Sequence, residues 1–102
     1  MAFKNGMRPV HPGEVLREDY LKPLELSVNA LAKKLGIPTS RLNDIVLERR
    51  GVSPDTAMRL ARYFGGDARS WLNLQTAHDL RVTEIAKAKE IERTVAPMRA
   101  SA

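Results

Sequence analysis

The chain has no cysteine. That excludes disulfides, thiolate metal sites and thiol nucleophiles, and it suits a reducing, cytoplasmic setting. Aromatic residues are few: one Trp, two Tyr and two Phe among 102 residues. Aliphatic side chains and alanine must therefore fill the interior. The two histidines, His11 and His78, have no metal-ligand spacing. Carboxylates are scattered among basic partners, and no glycine-rich phosphate loop is present. Enzymatic chemistry, a metal and a cofactor are accordingly not expected. No apolar run approaches the roughly 18 residues of a membrane span. The opening MAFKNGMRPV has no apolar signal core, so secretion is not expected either. The length suits one small domain.

Strand-like alternation and internal repeats are missing too. What is present is helical spacing, most tellingly from Ser27 to Arg50, SVNALAKKLGIPTSRLNDIVLERR. Leu31, Ala32 and Leu35 share one face of a short helix that Ser27 caps. Gly36 breaks the pattern and can take the positive φ of a tight turn. Leu42, Ile45 and Val46 then form a second apolar stripe. Ala32 is small enough to let the second helix cross closely. Leu31, Leu35, Ile37, Leu42 and Ile45 are expected to share one core. These demands together describe a helix-turn-helix at about residues 28–47.

Net charge is +5, and its position is informative. Residues 28–51 carry Lys33, Lys34, Arg41, Arg49 and Arg50 against Asp44 and Glu48, a net of +3. Most of the excess therefore lies on the helix pair. A basic patch on a compact element is the electrostatic footprint of a polyanion binder.

The rest of the chain reads as three more helices. Residues 1–11 form an N-terminal arm carrying Lys4 and Arg8. His11-Pro12-Gly13-Glu14 opens the first helix, whose buried stripe is Val15, Leu16, Tyr20 and Leu21. Pro23 is expected to end it near Leu21–Lys22, leaving Leu24 and Leu26 to plug the core. Gly51 reads as the stop after the second helix of the pair. Ser53-Pro54-Asp55 starts the fourth helix, with Ala57, Leu60, Ala61 and Phe64 inside. Asp67 caps a fifth helix reaching about Arg93. Trp71 reads as the anchor that docks it. Val82, Ile85, Ala88 and Ile91 exceed what a small core can cover, so they are assigned to a dimer interface. Pro97 and MRASA form a tail over 96–102 that is expected to be disordered. The fold class is all-α with five helices, in a domain spanning 12–95.

HPGE, LKPL, the ERRG connector, SPDTAMRLA and WLNLQ stand in order around the helix pair. With them the stretch from about His11 to Leu80 resembles the HigA/VapI antitoxins, a branch of the phage-repressor-like (Xre) helix-turn-helix family. The resemblance implies a lambda-repressor-like DNA-binding domain with a long C-terminal helix. It implies an antitoxin that neutralises a HigB-like (RelE-type) ribonuclease toxin. It also implies an autorepressor that binds double-stranded operator DNA as a homodimer. The rival is an Xre-type regulator without a toxin. The chain departs from the pattern at Pro38, where Ser or Thr commonly caps the recognition helix; Thr39 or Ser40 is expected to compensate. It departs again at Leu47-Glu48, where a shorter exit with glycine is frequent, so a slightly longer helix is expected.

Read as a recognition helix, the segment from Pro38 turns Thr39, Ser40, Arg41, Asn43 and Asp44 toward DNA. Arg41 suits guanine, Asn43 adenine and Thr39 a thymine methyl; Asp44 suits a cytosine amino group or the orienting of Arg41. Ser27 and Asn29 at a helix N-terminus suit a phosphate. Lys33, Arg49 and Arg50 add phosphate attraction.

Overall fold

The computed structural model describes residues 8–98. Lys4 of the expected arm and Arg99 of the expected tail lie outside the described residues. Five helices follow in order: α1 over residues 12–24, α2 Val28–Leu35, α3 Thr39–Val46, α4 Pro54–Phe64 and α5 Ala68–Thr94. There is no strand among the described residues.

The expected stripes meet in one cluster. Leu16 of α1, Leu31 of α2, Leu42 and Ile45 of α3, Leu60 of α4 and Trp71 of α5 are all buried. Burying each such aliphatic side chain contributes about 1.5–3 kcal/mol. The Trp71 ring lies 5.5 Å from Tyr20, which in turn lies 4.6 Å from Phe64, so three of the few aromatic rings dock α5.

Pro23 does not end α1. The helix runs to Leu24, and its middle, Leu16–Leu21, is π-helical. In an α-helix the proline ring would collide with the carbonyl four residues back. The π turn before it changes that register: Lys22 N–H reaches Arg17 O instead. Five residues of α-helix would also separate Leu16 and Leu21 by about 140°. The wider turn helps bring both inward, and both are buried. Leu24 does not plug the core; it is exposed, and only Leu26 packs on it.

Helices α1, α2 and α3 end alike. A residue in the left-handed region folds two amides back onto the last turn. In α2 it is Gly36 (φ 72°), with Gly36 N–H on Lys33 O at 3.2 Å and Ile37 N–H on Ala32 O at 3.1 Å. In α1 it is Glu25 (φ 53°), with Leu26 N–H on Leu21 O at 3.0 Å. In α3 it is Glu48 (φ 65°), with Arg49 N–H on Asp44 O at 2.7 Å. So α3 stops at Val46 rather than running longer, and the stop is Glu48 rather than Gly51.

The HPGE motif is a packing device. His11 Nδ1 accepts from Gly13 N–H at 2.8 Å and caps α1. A Cβ on Gly13 would overlap the Ile45 carbonyl, so α1 rests directly on the α3 backbone. The buried His11 ring meets His78 of α5 edge-on, with centroids 4.8 Å apart. His78 and Gln75 both contact Asp79, and Gln75 Oε1 accepts from Val52 N–H at 2.7 Å. A polar chain therefore joins α5 to the loop before α4 and to the start of α1.

Two predictions follow from this packing. Gly13→Ala should lower stability by about 1–3 kcal/mol, the range for forced overpacking, read in a thermal melt; an unchanged melt would mean the α1–α3 approach is looser than described. The second concerns pH. Burial, then the neighbouring His78 ring, holds the His11 pKa below the ordinary value. Folding thus favours neutral His11. That contribution is complete above the unfolded-state pKa of about 6.5 and is lost as pH falls. Wild-type stability to urea should therefore drop between about pH 7.5 and pH 5.5. His11→Asn keeps a capping oxygen without a titrating ring and should drop less; equal drops would assign the effect elsewhere.

Candidate nucleic-acid interface

Helices α2 and α3 pack against each other; Ala32 of α2 and Ile37 in the turn between them are both buried. Ser27 Oγ accepts from Ala30 N–H at 3.0 Å and caps α2. The Thr39 hydroxyl donates to Asn29 Oδ1 at 2.9 Å, tying the first turns of α2 and α3 together. Neither Thr39 nor Ser40 replaces the missing cap, for no side chain caps α3. Leu42, Ile45 and Val46 face the core. Thr39 and Ser40 are exposed, and Arg41, Asn43 and Asp44 are half-buried along the same side.

The charges of this side are paired. Asp44 does not orient Arg41. It accepts from Arg49 Nη2 at 2.9 Å and stands 3.7 Å from Arg50. Arg41 Nη1 instead donates to Asp55 Oδ2 at 3.1 Å, in the first turn of α4. The same oxygen accepts from Arg59 Nε at 2.9 Å. These bonds, Arg59's first, hold the Asp55 carboxyl below the usual carboxylate range, so it is ionised at neutral pH. Lys33 is exposed and makes no ion pair among the described residues. Ion pairs this open stabilise by at most about 1 kcal/mol, so they orient side chains more than they hold the fold.

Two arginines from outside the pair close its carbonyl ends. Arg59 Nη1 donates to Leu35 O at 2.9 Å, at the end of α2. Arg17 Nη1 donates to Val46 O at 2.6 Å, at the end of α3, and its Nη2 lies 3.4 Å from Glu48.

The residues assigned to a dimer interface, Val82, Ile85, Ala88 and Ile91, are all exposed on α5. They do not form one line. A step of three residues falls about 60° short of a full turn, so the series winds round the helix. Val82 and Ile85 continue the side of Trp71 and His78. Ala88 and Ile91 join Leu80 and Val95 along a shallow groove on another side.

Residues 18–71 match a family model described as Helix-turn-helix. The chain is 63% identical over 83 residues to Virulence-associated protein I of Dichelobacter nodosus, covering 81% of this chain and 77% of that one. The chain belongs to the Xre-type helix-turn-helix family. Its neighbours in this family include HigA-family antitoxins, Vap proteins and HTH-type transcriptional regulators. The structure of antitoxin GraA is 47% identical with a TM-score of 0.89, covering 91% of this chain and 100% of that one. A structure of Pseudomonas aeruginosa antitoxin HigA with the higBA promoter is 44% identical with a TM-score of 0.86, covering 89% and 99%.

In this helix-turn-helix chain, sequence reasoning placed the exposed face of α3 but missed Asp55, Arg59, Arg17 and Glu48 as its supports. Only Asp55 and Arg59 carried a signal, since they stand four apart on one helix and form an ordinary i,i+4 pair. Nothing in the spacing announces that Arg41 joins them.

Proposed function

We propose that this chain is the antitoxin of a type II toxin–antitoxin pair and that it represses its own operon. It neutralises a HigB-like, RelE-type ribonuclease toxin in the cytoplasm and binds operator DNA as a homodimer. The observation that carries this reading is the likeness, over nearly the whole chain, to an antitoxin described with its promoter. The first turn of α3 enters the major groove. Thr39, Ser40, Arg41, Asn43 and Asp44 then meet base edges. Ser27 and Asn29 approach one phosphate at the N-terminus of α2. Lys33 binds phosphate directly, while Arg49 and Arg50 exchange or share Asp44 for it. One recognition helix reads only a few base pairs. Two copies on a twofold axis read an inverted repeat, with half-site centres about 34–36 Å apart or a multiple of that.

Titrations against operator and scrambled duplexes test the DNA half. Arg41→Ala should relax preference at one base pair, where a bidentate contact is worth roughly 1–3 kcal/mol. Lys33→Ala should weaken both duplexes alike and lower the salt slope by about one unit. A wild-type chain that treats both duplexes equally would sink the repressor reading. Relief of growth arrest when the chain is expressed with its neighbouring gene tests the toxin half.

The dimer is tested apart from both. Charged residues at Ile85 and Ile91 should give folded monomers that bind the operator weakly. Sedimentation at micromolar concentration checks this, and a persisting dimer would move the interface away from α5.

A further inference from the structure

Besides Asp44, a second acidic side chain, Asp55, stands against the residues proposed to meet DNA, and nothing in that reading uses it. Asp55 Oδ2 lies between two guanidiniums, at 3.1 Å from Arg41 Nη1 and 2.9 Å from Arg59 Nε. Arg59 is itself fixed, because Nη1 also reaches Leu35 O at 2.9 Å and Gly36 O at 3.4 Å, at the turn between α2 and α3. Asp55 is fixed from its own side. It follows Pro54 in the first turn of α4, where Ser53 Oγ accepts from Thr56 N–H at 3.3 Å. The carboxylate is thus held by Arg59 beside the first turn of α3.

We infer that Asp55 is a positioning residue that turns Arg41 toward a base, an inference that rests on the operator-binding reading above. The guanidinium has five N–H donors in a rigid plane. Asp55 takes one, at Nη1, and holds that plane. Nε and Nη2 make no hydrogen bond among the described residues, and they form the opposite edge. Two parallel donors on one edge are what guanine O6 and N7 require. The side chain of Arg41 remains 31% exposed, so the pairing with Asp55 does not enclose it. A carboxylate near phosphates opposes binding to any DNA. Asp55 also suits the N-terminal turn of α4; toward DNA, its contribution is to selectivity rather than to affinity.

The test is binding-site selection from a random duplex library, followed by titration of the selected and a scrambled duplex. Wild type, Asp55→Asn, Arg41→Ala and the double variant are compared as full chains. Asp55→Asn removes a negative charge, so it should bind scrambled DNA more tightly than wild type. It should relax preference at the base pair that Arg41→Ala relaxes. Its ratio of selected to scrambled affinity should fall about fivefold or more, the low end for one bidentate contact. The double variant should be no less selective than Arg41→Ala alone. A merely structural role would weaken both duplexes together and leave base preference in place. Wild-type preference at every position in Asp55→Asn, or additive losses in the double variant, would overturn the inference while leaving operator binding intact. A wild-type chain that selects no sequence would overturn both.

Discussion

Arg59 donates to the Leu35 carbonyl, and the exposed face of α3 is arranged through that bond. A helix leaves its last carbonyls without partners inside the helix. Helix α2 cannot extend to satisfy them, because the turn at Gly36 must follow at once. Arg59 reaches across from α4 and supplies the donor. That docks α4 against the end of α2 and puts Asp55 beside Arg41. Arg17 performs the same service at the end of α3, from α1. The helix pair is therefore gripped at both carbonyl ends by neighbours, and positive charge there also complements the helix dipoles.

The same pairing explains how a basic surface can be ordered before any ligand arrives. Arg41, Arg49 and Arg50 each face a carboxylate, while Lys33 faces none among the described residues. Pairs this exposed contribute little to stability, so exchanging a carboxylate for a phosphate costs little. Side-chain order costs more: an arginine loses up to about 2 kcal/mol of rotamer freedom when fixed. A carboxylate that restricts such a side chain in the free protein, as Asp55 does Arg41, removes part of that cost from binding.

The stripes of α2, α3 and α4 were legible because each side chain's fate is set by its neighbours three and four residues away. Leu31, Leu35, Leu42, Ile45 and Leu60 all went where their spacing sent them. The caps at Ser27, Ser53 and Asp67 were legible for the same local reason. The ends of α1 and α3 were not. Glycine signals a left-handed residue, and glutamate does not, yet Glu25 and Glu48 take that conformation. Tertiary packing supplies what local preference withholds: Leu26 on the core at one site, Arg17 against Glu48 at the other. The π turn in α1 was hidden similarly, since Pro23 signals an end only while the preceding turn keeps α register. In the candidate site, the exposed face of α3 was legible, but its ion pairs were not. Arg41 and Asp55 belong to different helices, and only the fold brings them together.

Helix α5 shows the opposite balance. Its first turns are docked by Trp71, but beyond Val82 no described residue is buried or half-buried. An isolated helix of that length would be marginal in water, chiefly because nucleation is unfavourable. Here the docked turns are already the nucleus, and each further residue need only propagate. The sequence TEIAKAKEIERT supplies good formers for that, Ala, Lys, Glu and Arg. Propagation stops at Thr94, with β-branched Val95 next and Pro97 beyond it. The projecting half is thus held by propensity and the body by packing. Substitutions on its apolar sides therefore leave the packing of the helix pair and its arginine grips in place, because no described residue beyond Val82 is buried against the body.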